Sequence, residues 1–231
     1  MKPTVFLDLD DTILDFKKAE RIAVKDTLAR LGLPATDEVA ARYSVINDAQ
    51  WKLLERGELT RPQVLTRRFQ LLFEELGVTG DPEETWHLYE KLVARGHYFM
   101  PGAEDLLKAL FGRCTLCVAS NGTASVQDSR IKSAGIAPYF RAIFVSQRLG
   151  AEKPTPAFFD ACFAALPESR REESIIIGDS LTSDIRGGQN AGIRTCWYNF
   201  RHLPAREDIR PDYEVTSLDE IPALIDRIFG K

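Results

Sequence analysis

The sequence predicts an α/β protein, a Rossmann-like, doubly wound parallel sheet core with an inserted α-helical bundle. Three observations carry this prediction. An apolar run, Val5-Phe6-Leu7, stands almost at the start of the chain, and continuous apolar residues mark a strand covered on both faces. From about residue 99 onward, strand-like and helical runs alternate, as they do where helices cover both sides of a parallel sheet. Between these regions, residues 16–98 contain no convincing strand and read as helices. The expected division is therefore a core of residues 1–15 and 99–231, with a helical cap of residues 16–98 inserted into it.

Each element follows from local signals. In the insert, Lys17 to Leu31 has helical periodicity and stops at Gly32-Leu33-Pro34. Thr36-Asp37-Glu38 starts a second helix that runs through Trp51 to about Arg56. Thr60-Arg61-Pro62 starts a third, ending near Gly77, and Asp81-Pro82-Glu83-Glu84 starts a fourth. A capping side chain followed by Pro or acidic residues is how helices begin. Beyond the insert, strands are expected at residues 115–119, 142–145, 174–177 and 194–198. Helices are expected at residues 103–111, 123–133, 156–165, 183–191 and 218–229, with Gly102, Gly122 and Gly135 punctuating the turns.

Composition narrows the class. With 231 residues, 44% hydrophobic and 28% charged, the chain is an ordinary globular one able to bury a substantial core. A formal net charge of -4 points to neither a nucleic-acid polymer nor a membrane as partner. No stretch is apolar enough to span a bilayer, and strand-like sequence begins at once, so the expected location is cytoplasmic. Cys114 and Cys117 have CxxC spacing but no second pair to complete a zinc site. Together with Cys162 and Cys196 they read as reduced core residues.

The chemistry concentrates at strand ends. Asp8-Leu9-Asp10-Asp11-Thr12 follows the first strand, and residues two apart on a strand share a face. Two carboxylates crowded there repel unless a cation or proton lies between them. Such a pair suits an Asp nucleophile beside an Asp acid/base, with a divalent metal offsetting the charge; it equally suits a solvated turn. Ser120-Asn121-Gly122 closes the second strand before a helix, offering a hydroxyl, an amide and a backbone N–H to an anion. Lys153, before Pro154, follows the third strand, and Asp179 and Asp184 follow the fourth. Hard oxygen ligands of this kind suit Mg²⁺, which takes one or two carboxylates, waters and a substrate phosphate. Each piece alone fits an ordinary turn. Together, several carboxylates and a phosphate can share a pocket only with Mg²⁺ and Lys153 to balance them.

The order and spacing of these four pieces resemble the haloacid dehalogenase superfamily, in a subclass with a helical C1-type cap, and the likeness spans nearly the whole chain. The resemblance implies roles residue by residue. Asp8 corresponds to a nucleophile that forms an aspartyl-phosphate. Asp10 corresponds to the general acid and base, with its backbone carbonyl on the metal, and Thr12 to a hydroxyl that steadies the loop. Ser120, Asn121 and Lys153 fall at the phosphate-holding positions, and Lys153 also restrains Asp8. Asp8, Asp10, Asp179 and Asp184 fall at the Mg²⁺ positions. Asp10 favours a phosphatase over a dehalogenase, because halide leaves without a proton whereas an alkoxide needs one. A non-catalytic binder of phosphometabolites would be signalled by loss of Asp8, Asp10 or Lys153, and all three are present.

The substrate is less legible. Trp51, Gly57 and Thr60, Arg68-Phe69, Gln127 and Arg130, Tyr139-Phe140 and the stretch from Thr195 to Asn199 resemble bacterial pyrimidine 5'-nucleotidases. That resemblance implies a pyrimidine nucleoside 5'-monophosphate as the small-molecule partner. Phosphatases of sugar phosphates, N-acylneuraminate 9-phosphate or phosphoglycolate share many of these positions. Trp51, Asn47 and Arg68 are the expected specificity residues, Trp51 by stacking on a base, although a large aromatic in a helix is as readily a packing residue. A monomer or a homodimer is expected.

Overall fold

The first strand is apolar on both sides because both sides are covered. In a computed structural model, which describes residues 2–230, β1 (Thr4–Leu7) lies at the centre of a six-stranded sheet. Val5 and Leu7 enter one apolar cluster and Phe6 the other, each fully buried. The remaining strands are β2 (Thr115–Ser120), β3 (Ala142–Val145), β4 (Ser174–Gly178), β5 (Arg194–Tyr198) and β6 (Tyr213–Val215). Their order is β3-β2-β1-β4-β5-β6, and every pairing is parallel.

That order has a consequence for function. The chain winds outward from β1 through β2 to β3, then crosses back to place β4 on the other side of β1. The carboxyl ends of β1, β2 and β4 thus flank the point where the winding reverses, where such sheets bind ligands. Register aligns them: Leu7 lies opposite Val118 on one side and Ile177 on the other. Asp8, Ser120 and Asp179 therefore leave the sheet side by side.

Four helices make up the insert after β1: α1 (Phe16–Arg30), α2 (Asp37–Glu55), α3 (Arg61–Leu76) and α4 (Pro82–Val93). Their starts obey the capping signals. The Asp15 side chain accepts from the Lys18 N–H, Thr36 from Val39, and Asp81 from Glu83 and Glu84; each such cap is worth about 0.5–2 kcal/mol. Gly77 ends α3 at φ 63°, a left-handed conformation that glycine adopts without strain. The helices close around their own apolar cluster, in which the rings of Tyr43, Phe69 and Tyr89 meet pairwise at 5.0–5.5 Å. Two short segments join this bundle to the sheet and bond to each other, Asp15 N–H to Tyr98 and Met100 N–H to Ile13.

On the sheet, α5 (Ala103–Leu110) and α10 (Ile221–Phe229) cover one face, while α8 (Pro156–Ala164) and the end of α9 (Arg186–Ala191) cover the other. Helix α6 (Ala124–Ser133) follows β2 and the single turn α7 (Ser146–Leu149) follows β3. Two features depart from the sequence expectations. Strand β6 is not anticipated, because three residues with one exposed Glu carry no periodicity. The helix expected over residues 183–191 begins instead as one π turn, Leu181–Ile185, before α9; π turns recur at functional sites. All four cysteines are buried, and burial pushes the Cys117 and Cys196 thiols up to about 12, so these two stay protonated and inert. Among the described residues, no helix is long and apolar enough to cross a membrane.

Candidate active site

Asp8 sits one residue beyond β1. Its N–H still bonds the Ile177 carbonyl at 3.0 Å, so the sheet, not the loop, sets its position. The chain then turns sharply: Ile13 and Leu14 both donate to the Leu9 carbonyl, and Asp11 takes φ 57°. The alternation argument for a shared face does not apply as stated, because the strand ends at Leu7 and a turn, not a pleat, orients Asp10. Both carboxylates nevertheless line one cavity of about 810 Å³, between the strand ends and the helical bundle.

Lys153 organises the centre. It is 1% exposed, and its Nζ donates to Asp8 Oδ1 at 2.9 Å, to Asp184 Oδ1 at 2.6 Å and to the Ala119 carbonyl. Burial opposes its charge, but Asp184 and Asp8 outweigh that and hold the ammonium above its ordinary range. Asn121 spends both ends of its amide on Lys153, donating to its carbonyl at 2.8 Å and accepting from its N–H at 2.9 Å. Its side chain therefore splints Lys153, with the second N–H of Nδ2 outside these two bonds. Thr12 Oγ1 donates to the other Asp8 oxygen at 3.3 Å.

Ser120 ends β2 fully buried. Its Oγ accepts from the Gly122 N–H at 3.0 Å and from Gln127 Nε2 at 2.9 Å. Both lone pairs are thus occupied, and the hydroxyl proton is the group left to donate. Gly122 must be glycine here, since a Cβ would fall 2.2 Å from Gln127 Nε2.

The metal question turns on charge. Asp8, Asp179 and Asp184 each place a carboxylate oxygen within 4.8 Å of the others. Gly178 permits this approach, for a Cβ there would lie 2.2 Å from Asp184 Oδ2. Burial first, then Asp184 and Asp10, push the Asp8 carboxyl up to about 8 against the pull of Lys153. Burial and the neighbouring Asp8, Asp11 and Asp184 hold Asp179 well above the carboxylate range, only partly offset by Arg201. Three close carboxylates, two of them buried and Asp179 half-buried, exceed the charge of the one buried ammonium, and hard oxygens at this spacing fit a small divalent cation. The Asp10 carboxylate is not in this cluster; it is held by Gln127 and Arg130 of α6.

The expected specificity residues share the cavity wall but differ in what they present. Trp51 is half-buried, and its Nε1 donates to Asn47 Oδ1 at 3.1 Å. Asn47 is 1% exposed: Oδ1 also accepts from Arg68 Nη1 at 2.9 Å, and Nδ2 donates to Glu20 at 2.7 Å. Asn47 thus anchors Trp51 and Arg68 at the cavity wall. Three residues escaped the sequence reading. Arg61, at the start of α3, bonds the Asn121 and Gly122 carbonyls and Ser146, tying the bundle to the sheet. Arg201, on the β5–β6 connection, bonds Asp11 at 2.6 Å and approaches Asp179 at 3.5 Å. Glu55 closes α2 at the cavity wall.

Comparison with known proteins gives the family. Residues 5–198 match the family model of haloacid dehalogenase-like hydrolases. The chain is 38% identical to the HAD-hydrolase YfnB of Bacillus subtilis, covering 94% of this chain and 93% of that one. A YfnB crystal structure bound to magnesium superposes with a TM-score of 0.93 at 36% identity, over 97% of this chain and 99% of that one. The chain is also 34% identical to the pyrimidine 5'-nucleotidase PynA of Streptococcus pneumoniae, over 96% of this chain and 94% of that one. Identity to the pyrimidine 5'-nucleotidase YjjG of Escherichia coli is 29%, over 96% of each. With that coverage, the chain belongs to the haloacid dehalogenase-like hydrolases, and within them it is a phosphomonoester hydrolase.

Proposed function

We propose that this hydrolase is a Mg²⁺-dependent 5'-nucleotidase of pyrimidine nucleoside monophosphates, with α1–α4 as the cap that encloses the leaving group. The Asp8 carboxylate attacks phosphorus, the P–O bond to the nucleoside breaks, and Asp10 gives its proton to the departing alkoxide. Asp10, now ionised, takes a proton from water as the water attacks the aspartyl-phosphate, releasing inorganic phosphate and restoring Asp8. Lys153 fixes the Asp8 oxygen and the Ser120 hydroxyl donates to a phosphoryl oxygen, so both reacting partners are positioned before the reaction. Mg²⁺ held by Asp8, Asp179 and Asp184 would offset the charge shared by the carboxylates and the phosphate.

One observation carries the substrate choice: a single cavity joins the strand-end residues to Trp51, whose indole is oriented by its bond to Asn47. Named pyrimidine nucleotidases among the relatives support the same choice. Phosphate release with Mg²⁺ across nucleoside monophosphates, phosphoglycolate and sugar phosphates tests it. Deoxyuridine and thymidine monophosphates are expected to lead. A preference for phosphoglycolate or N-acylneuraminate 9-phosphate over every pyrimidine nucleotide would overturn the substrate and leave the phosphatase standing.

A further inference from the structure

Arg130 is the least expected charge in the molecule. It lies on α6 with no exposed surface, yet it is 120 residues from Asp10, to which its Nη1 donates. The same Nη1 donates to Gln127 Oε1 at 3.0 Å, and Nε donates to the Gly96 carbonyl at 2.7 Å. Gly96 lies on the segment that returns from α4 to the sheet, and the guanidinium stands 5.5 Å from the Phe16 ring at the start of α1. Arg130 therefore touches both connections between bundle and sheet as well as the acid/base carboxylate. Gln127 completes the arrangement. Its Nε2 donates to Asp10 Oδ2 at 2.6 Å and to Ser120 Oγ at 2.9 Å.

The two Asp10 oxygens are thus held differently. Oδ1 takes a charged donor anchored to the connecting backbone, and Oδ2 takes a neutral amide. Both bonds are strengthened by the carboxylate's charge, and the one to Oδ1 has a cationic donor as well. A guanidinium ordinarily grips a carboxylate with two parallel N–H bonds, but Gln127 occupies Oδ2 and Arg130 Nη2 is left buried without a partner. An unmade bond of this kind in a buried site calls for a reason.

We propose that Arg130 is a positioning residue for the acid/base step: it pins Asp10 Oδ1 to the bundle–sheet connection, so that Oδ2 alone exchanges between Gln127 and the leaving or attacking oxygen. The inference rests on the assignment of Asp10 given above. In the forward step the Oδ2–H bond breaks and the proton passes to the leaving oxygen. Oδ2, now ionised, accepts from Gln127 or from the incoming water. Throughout, Oδ1 stays on Arg130, and the bundle's two connections set where Asp10 points.

Phenyl phosphate and p-nitrophenyl phosphate test this, being alike in size and different in how much their leaving oxygens need a proton. Asp10→Asn, Arg130→Met and the double variant are compared by kcat/KM with Mg²⁺ present. Asp10→Asn is expected to cost about 10²–10³-fold on phenyl phosphate and under about tenfold on p-nitrophenyl phosphate. Arg130→Met should show the same imbalance at about 10–100-fold, and the double variant should fall no more than about threefold below Asp10→Asn alone, since coupled residues are not additive. Equal losses on both substrates for Arg130→Met, or a full additional loss in the double variant, would overturn the inference while leaving Asp10 in its role. Equal losses for Asp10→Asn would overturn the Asp10 assignment and the inference with it. Should Arg130→Met fail to fold, Arg130→Lys is read by the same ratio, because one ammonium cannot reach both Asp10 and Gly96.

Discussion

The strand ends and the helical bundle build the two halves of one cavity by different means. At the strand ends, parallel register delivers Asp8, Ser120 and Asp179 together, and buried charge then locks them: Lys153 to Asp8 and Asp184, Asn121 to Lys153. In the bundle, the cavity wall is a chain of polar groups running between helices, from Glu20 through Asn47 to Trp51 and Arg68. The first half is dense in charge and intolerant of change. The second half is a hydrogen-bonded frame around one aromatic face, where substitution should alter which substrate fits before it alters the reaction.

The sharpest break of this comparison is at Asp8. Asp8→Asn keeps the shape and the bond to Lys153 but removes the nucleophile, so phosphate release should fall to background while circular dichroism and melting temperature hold. Turnover near the parent rate would end the proposed mechanism. Asp10→Asn comes next, at about 10²–10⁴-fold on nucleotides and less on p-nitrophenyl phosphate.

Metal sharpens the contrast further. Chelation should abolish turnover and Mg²⁺ restore it, while leaving the bundle's fold untouched. Stability should report the same charges. The folded chain holds Asp8 up at about 8 and Asp179 also high, so without metal it binds protons that the unfolded chain has already released. The contribution of these two groups to metal-free stability is therefore fully present below the ordinary carboxylate range and is lost as pH rises toward about 8. In chelator, the melting temperature should drop between pH 5 and pH 8, by about 2–4 °C for each kcal/mol lost in a chain of this size. Mg²⁺ should raise it more at pH 8 than at pH 5. A melting temperature that climbs over that interval in chelator would contradict the buried acidic cluster.

The two halves also differ in how much of them was legible. The strand-end residues were readable because a buried parallel strand announces itself by its apolar run, and Asp8, Asn121 and Asp179 come directly after one. Helix starts in the bundle were readable for the same local reason, through Thr36, Thr60 and Asp81. What escaped depends on contacts across the chain. Gln127 and Arg130 stand three apart on α6 and so share a face, but only the fold shows that this face meets Asp10, 117 and 120 residues away. Arg201 arrives on the connection to β6, a strand too short to carry a pattern. Asn47 reads from sequence as a polar neighbour for a ligand, whereas in the fold its side chain bonds Glu20, Trp51 and Arg68.

The smallest expected effects test the bundle half. Stacking of a base on an aromatic ring is worth about 1–3 kcal/mol, so Trp51→Ala should raise KM for thymidine monophosphate by about 5–150-fold. On p-nitrophenyl phosphate, which carries no base, KM should barely move; equal shifts on both substrates would make Trp51 a packing residue. Asn47→Ala separates holding the ring from being the ring. It removes the acceptor for Trp51 Nε1 and Arg68 Nη1 and the donor to buried Glu20, and unsatisfied buried groups of this kind cost about 1–3 kcal/mol each. The melting temperature should therefore fall clearly. KM for the nucleotide should rise only a few-fold, because the indole remains present but loses its fixed orientation, and ordering it on binding costs about 0.5–1.5 kcal/mol. An Asn47→Ala variant with an unchanged melting temperature and a KM as high as that of Trp51→Ala would mean that Asn47 meets the base directly, and that the bundle reads its substrate by hydrogen bonds as well as by stacking.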